Sequence, residues 1–337
     1  MGRLIDQAGL AAAWRALSGQ GEPGWRTIPL GAIGAVQVLA GRRFPGNEEA
    51  VLFGIPGYRR PANEQLPAGR GFEVLRVTLK DKDEEPRWLG VNREAQGSFD
   101  LFAMMITDLL DHLASRDADT PPDELGTALV ARVRAWQEFM QRGSGVLGPE
   151  AEVGLVGELR FLEALLESGL AVSEVLDGWK GPLDGLHDFA FPGGAIEVKS
   201  TVASVGFTAE VSCLEQLDDS IVAPLFLGAV RLSVGPGGVT LPEQIERLRG
   251  AASEPTARAH LDEKLLRVGY FDRFAERYTR RFRLSGLKAF RVDADFPRLV
   301  HASVPQAVRR ARYDIDIDAT GRPTVSLGDV LNTLGMK

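Results

Sequence analysis

The sequence predicts a mixed α/β fold, and three observations predict it. Residues 27–92 hold several strand-like runs punctuated by Gly and Pro. Helical patterns follow at 98–116, 122–142 and from Pro149 onward. From 187 to 199 the chain reads His-Asp-Phe-Ala-Phe-Pro-Gly-Gly-Ala-Ile-Glu-Val-Lys, two alternating runs around a Gly pair. That is the pattern of a β-hairpin.

Taken in order, residues 1–20 carry Leu4, Leu10, Ala11, Trp14 and Leu17 at helical spacing. Strand runs follow at 35–39, 50–53 and 73–79. Between the two predicted helices, 117–121 reads as a loop, and Pro122 suits the first turn of the second helix. Residues 142–145 (Arg-Gly-Ser-Gly) read as a linker. Three regions result: a strand-rich region with its helices at 1–142, a core at 146–230, and a mixed Arg-rich region at 231–337. The first is expected to be a DNA-reading or protein-docking module, and its residues favour neither.

Bulk properties narrow the class. The chain has 337 residues and a net charge of −7, enough length for two or three modules and a sizeable core. No run of about eighteen apolar residues occurs, and the first residues lack a secretory apolar core, so a cytoplasmic protein without membrane association is expected. A single cysteine, Cys213, excludes an internal disulfide. His112, His187, His260 and His301 are scattered, so no zinc-type spacing exists.

The hairpin has chemical content. With Gly193-Gly194 as its loop, Pro192 faces Ala195, Ala190 faces Glu197 and Asp188 faces Lys199. Asp188, Ala190, Glu197 and Lys199 then share one face, and Phe189, Phe191, Ile196 and Val198 the other. Two close carboxylates repel each other, which a hard divalent cation such as Mg²⁺ relieves. A Lys beside them orients or helps deprotonate an attacking water and offsets charge growing on a phosphate. The competing reading is a cross-strand ion pair on a solvated face. Acid-x-Lys occurs a second time, as Asp262-Glu263-Lys264, in a helical pattern where residues two apart diverge.

Upstream, Pro149 suits a helix start, Glu150 and Glu152 suit its positive end, and Gly169 suits its stop. Leu155, Leu159, Leu162 and Leu166 form its buried stripe. Glu158 borders that stripe, where it either stays solvated or reaches toward the hairpin. Gly154 and Gly157 permit close approach to a neighbouring element.

These residues resemble the PD-(D/E)xK nuclease superfamily. The resemblance rests on Gly157-Glu158-Leu159-Arg160-Phe161-Leu162-Glu163, Trp179-Lys180-Gly181-Pro182, His187-Asp188-Phe189 and Ile196-Glu197-Val198-Lys199-Ser200-Thr201. It extends more weakly to Glu215-Gln216-Leu217, Phe296-Pro297-Arg298 and Tyr313-Asp314-Ile315-Asp316. The superfamily's usual Pro before the Asp is His187 here. The nearest likeness is a little-characterised bacterial branch found beside DNA-modification and phage-defence genes. The resemblance implies a restriction-endonuclease-like α-β-β-β-α-β core. It assigns metal binding to Asp188 and Glu197, water assistance to Lys199, and support of metal or water to Glu158. The implied activity is Mg²⁺-dependent DNA phosphodiester hydrolysis, with Mn²⁺ substituting, by an endonuclease of restriction or phage defence. A homodimer would supply the two sites that double-strand cutting needs, and an ATPase or methyltransferase partner is compatible with this setting. The alternative is a non-catalytic DNA-binding or partner-docking module that retains the nuclease fold.

Charge is unevenly spread. From Tyr270 to Tyr313 there are ten Arg and one Lys against four acids, a net +7 that leaves −14 on the remainder. Phe271, Phe274, Tyr278 and Phe282 suggest a helical apolar stripe, with Arg273, Arg277 and Arg280 on another face to track DNA phosphates. A solvated, internally ion-paired helix is the competing reading. Ser212 and Gln216 are candidate contacts to the DNA backbone, and Ser212 is equally a candidate helix cap. Asp314-Ile315-Asp316-Ile317-Asp318 offers alternating acids, but its alternation fits a strand better than a Ca²⁺ loop.

Overall fold

The protein was analysed as a computed structural model that describes residues 5–336 except 59–65, 70, 80–86, 115, 117–119, 143–145 and 184. Leu4, most of the 117–121 loop and the 143–145 linker residues lie outside the described residues. The chain forms two compact units, Met1–Ser144 and Gly145–Lys337.

In the first unit, α1 (Gln7–Leu17) starts where the Asp6 carboxylate accepts the Gly9 N–H at 2.8 Å. Six strands follow: β1 (Gly24–Ile33), β2 (Val36–Phe44), β3 (Glu48–Ile55), β4 (Ala68–Gly69), β5 (Phe72–Val77) and β6 (Arg87–Arg93). They form an antiparallel sheet in the order β1-β2-β3-β6-β5-β4. The helices α2 (Phe99–Ala114) and α3 (Pro122–Arg142) close the unit, near the boundaries expected from sequence. Asp108 joins them by accepting from the Arg132 guanidinium at 2.6 Å and the Trp136 indole at 2.7 Å.

The second unit opens with α4 (Pro149–Glu167) and α5 (Val172–Gly178). The hairpin of β7 (Phe189–Phe191) and β8 (Gly194–Thr201), then β9 (Thr208–Val211) and β10 (Leu225–Val239), continue it. Two helices, α6 (Leu241–Ala251) and α7 (Pro255–Val268), precede β11 (Phe282–Val292), β12 (Tyr313–Asp316) and α8 (Leu327–Thr333). The main sheet runs β11-β10-β8-β7, with β8 parallel to β10 and the other pairs antiparallel. The α-β-β-β-α-β order is present as α4, β7, β8, β10, α6 and β11, with α5 and β9 inserted and α7 added. The expected boundary at residue 230 falls inside β10, and the last core strand comes from the Arg-rich segment. A smaller pair, β12 with β9, covers part of the sheet; the strand expected over 314–318 forms only to Asp316, and Ile317 is buried in a following 3-10 turn.

Close approach positions α4 over the sheet. A Cβ on Gly157 would lie 1.6 Å from Ser200 Oγ, and one on Gly228 would lie 2.5 Å from the Phe161 ring. Gly154 has open space instead. Leu155, Leu159 and Leu162 are buried as expected, while Leu165 is the fully buried residue of the last turn and Leu166 is half-buried.

The hairpin departs from the sequence reading in its register. Phe189 pairs with Ile196, Ala190 with Ala195 and Phe191 with Gly194, so the turn is Pro192-Gly193. The glycines answer to crowding: a Cβ on Gly193 would lie 2.2 Å from Leu334 O, and one on Gly194 (φ +146°) 2.2 Å from Pro224 O. Pro192 then takes the turn position that fixes φ near its own value. A two-residue slip leaves each side chain on its face, because strand side chains alternate with period two.

The helix expected over 271–282 is not formed. A short 3-10 turn, Asp272–Arg277, leads toward β11 at Phe282. Tertiary contacts override the periodicity: Arg249 of α6 binds Asp272 at 2.8 Å, and the Leu147 N–H donates to Tyr278 Oη at 3.0 Å. Arg273, Arg277 and Arg280 therefore do not line one helical face.

Candidate active site

The four residues assigned to the chemistry converge at the β7–β8 hairpin. Asp188 precedes β7, and its Oδ2 accepts the Val198 N–H at 2.7 Å, a cross-strand tie that fixes the carboxylate. Glu197 is 2% exposed on β8. Its Oε1 receives Lys199 Nζ at 2.8 Å and Gln216 Nε2 at 2.5 Å. Its Oε2 is buried without a hydrogen-bond partner. Glu158 arrives from α4, with Oε2 accepting the Trp179 indole N–H at 2.7 Å. A Cβ on Gly181 would stand 2.7 Å from Glu158 Oε2 and 3.0 Å from Asp188 Oδ1, so both oxygens flank the same point.

Electrostatics follow from burial and proximity. Desolvation pushes the Glu197 carboxyl up to about 8, with Asp188 repulsion adding and Lys199 opposing. Desolvation also raises Asp188 to about 6, against the Val198 N–H and Lys199. Glu158 is raised well above the usual carboxylate range by burial and by Asp188, despite the Trp179 hydrogen bond. Three acids that resist ionisation together form a cluster short of positive charge.

Among the described residues, no three carboxylates, imidazoles or thiols converge into a ready cage for a metal ion. The donor set nevertheless fits a hard divalent cation, which takes one or two carboxylates and keeps several waters. The unpartnered Glu197 Oε2 is the observation that meets this test.

A sequence model described as "Putative PD-(D/E)XK family member, (DUF4420)" matches residues 10–318. The chain belongs to that family. No curated protein and no solved structure matches it. The DUF4420 match spans parts of both units, so the family is defined by more than the hairpin.

The remaining candidates separate. Gln216 is committed inward: its Oε1 accepts Ser212 N–H at 3.0 Å and Ser212 Oγ–H at 3.2 Å, which turns its amide toward Glu197. Ser212 caps this turn, and no helix begins there. His187 Nε2 lies 3.1 Å from Gln216 O, with burial lowering the imidazole pKa, so the neutral ring donates to that carbonyl. This residue, standing where the superfamily has Pro, thus holds the Gln216 turn. Arg280 pairs with Glu152 at 2.5 Å and is not a free phosphate contact. Trp179, Lys180 and Gly181, within the motif that carries the resemblance, bond Glu158 and the Asp188 main chain, and the Gly after Trp-Lys is the sequence signal for this close approach.

Among the described residues no helix is long and apolar enough to cross a membrane.

Proposed function

We propose that this DUF4420 protein hydrolyses DNA phosphodiester bonds with Mg²⁺, or Mn²⁺ in its place, as an endonuclease of restriction or phage defence. The observation that carries this reading is the buried, unpartnered Glu197 Oε2 beside Asp188 and Glu158. Asp188 and Glu197 would hold the cation, and Glu158 would support it. A bound cation supplies charge neutralisation at the phosphate and a more acidic water. Gln216 and Lys199 occupy Glu197 Oε1 and so leave Oε2 as the free donor. Lys199 orients the attacking water and offsets charge developing on the phosphate. The buried hairpin face excludes bulk water, which strengthens both effects. For the DNA backbone, the exposed Arg277, Arg309 and Arg310 are the favoured contacts, with Arg273 nearby in sequence. A homodimer would allow both strands to be cut, and an ATPase or methyltransferase would couple cutting to modification state.

The second reading, a non-catalytic DNA-binding or partner-docking module, draws on the Lys199–Glu197 pair, which is already satisfied internally. Plasmid cleavage separates the two. Wild type and Glu197→Ala are incubated with Mg²⁺ or Mn²⁺ on modified and unmodified DNA. The nuclease reading expects metal-dependent nicking or linearisation that the variant lacks. Gel retention of DNA without cleavage by folded wild type supports the docking module.

A further inference from the structure

Lys264, in the second acid-x-Lys motif, is buried to 1% exposure within the apolar core of the second unit. Among the described residues no carboxylate stands within ion-pair reach of it. Its Nζ donates to the Trp179 main-chain carbonyl and lies 6.0 Å from the Trp179 ring centroid. Burying an ammonium is costly unless it is bonded, and a Met would fill the same space without that cost. The cation therefore has a task at Trp179.

The task is visible in one peptide unit. Its carbonyl, on Trp179, faces Lys264; its N–H, on Lys180, donates to Asp188 O at 2.6 Å. Because the unit is planar, gripping the carbonyl aims the N–H. The Gly181 N–H adds a bond to the same Asp188 O at 3.1 Å. The Trp179 indole, carried by the same residue, donates to Glu158 at 2.7 Å. One residue of α7 thus sets the segment that bonds the Glu158 carboxylate and the main-chain carbonyl of Asp188.

We infer that Lys264 is a positioning residue for the cation site, acting through the Trp179–Lys180 peptide on Asp188 and through the Trp179 indole on Glu158. This inference rests on the active-site reading above. Residues that orient metal ligands from behind typically contribute about 10- to 100-fold in metal affinity.

The test measures the Mn²⁺ dissociation constant calorimetrically, with Mn²⁺ alone and no DNA, alongside the melting temperature. Lys264→Met and Trp179→Phe are each expected to weaken Mn²⁺ binding by about tenfold. The double variant is expected to fall well short of the product of the two, because both act on one residue. Lys264→Leu, which likewise has no donor, replaces Lys264→Met if circular dichroism shows that variant unfolded, and is read the same way. A Lys264 variant that melts earlier but binds Mn²⁺ within about twofold of wild type overturns the inference, as does a fully multiplicative double variant. A wild type that binds Mn²⁺ yet cuts no DNA removes the nuclease reading and leaves this test intact. A wild type that binds no Mn²⁺ overturns both.

Discussion

Acid-x-Lys stands twice in this chain, as Glu197-Val198-Lys199 on β8 and as Asp262-Glu263-Lys264 on α7. On the strand, the outer residues share a face and Lys199 closes on Glu197 at 2.8 Å. On the helix they part: Asp262 turns to Arg249 at 2.7 Å, Glu263 pairs with Arg267 at 3.1 Å, and Lys264 enters the core. Residues two apart are neighbours only where the backbone repeats every two residues. The motif has chemical meaning through its backbone, and the difference between the two copies is a difference of period. Both lysines nevertheless converge on one site, Lys199 within it and Lys264 behind it.

The sharpest way to break the comparison is to alter each copy of the motif and its surroundings in turn. Lys199→Ala is expected to lower the cleavage rate by about 10²–10³-fold while DNA retention in a gel stays unchanged. Cleavage at the wild-type rate would remove Lys199 from the mechanism. Gln216→Leu is expected to weaken Mn²⁺ binding by about tenfold, since Glu197 Oε1 loses its amide donor; calorimetry checks this. On the helical copy, Arg249→Met is expected to lower stability by about 2 kcal/mol in urea titration. Arg249 bonds Asp262, Glu246 and Asp272, but those acids are partly exposed, so the loss stays below that of a buried pair. Its Mn²⁺ affinity should not change.

A separate expected effect is on pH dependence. Glu197 and Asp188 are raised to about 8 and about 6 in the folded, metal-free protein. Between the ordinary carboxylate range and these values, the native state binds more protons than the unfolded chain. Stability therefore falls as pH rises through this window. The metal-free melting temperature is expected to decline from pH 5 to about pH 8, and Glu197→Gln to flatten the decline. A wild-type curve that rises over that range would contradict the burial of these acids.

Much of the site was legible because it is local. Asp188, Glu197 and Lys199 lie in one hairpin, and face assignment survives an error in the turn, as the Pro192-Gly193 loop illustrates. Glu158 was legible as a polar residue at the border of an apolar stripe. What escaped depends on distance in sequence. Gln216 reaches Glu197 across 19 positions, and Lys264 reaches Trp179 across 85. No periodicity reports such pairs. The final core strand escaped for a related reason: 282–292 lies in an Arg-rich stretch whose charges suggested a surface, while Phe282, Ala289 and Phe290 are buried. The Arg273-Arg277-Arg280 spacing misled because Arg249 and Tyr278 anchor that segment in a 3-10 turn.

The most direct measurement is a Mn²⁺ titration followed by thermal unfolding, comparing wild type with Glu197→Gln at pH 7.5. A preformed carboxylate site that binds cation only when folded gains stability by mass action, about 2.7 kcal/mol at a hundred times the dissociation constant. The account predicts that gain in wild type and its loss in the variant. Equal melting curves for the two proteins at every Mn²⁺ concentration would contradict the assignment of this cluster as a cation site.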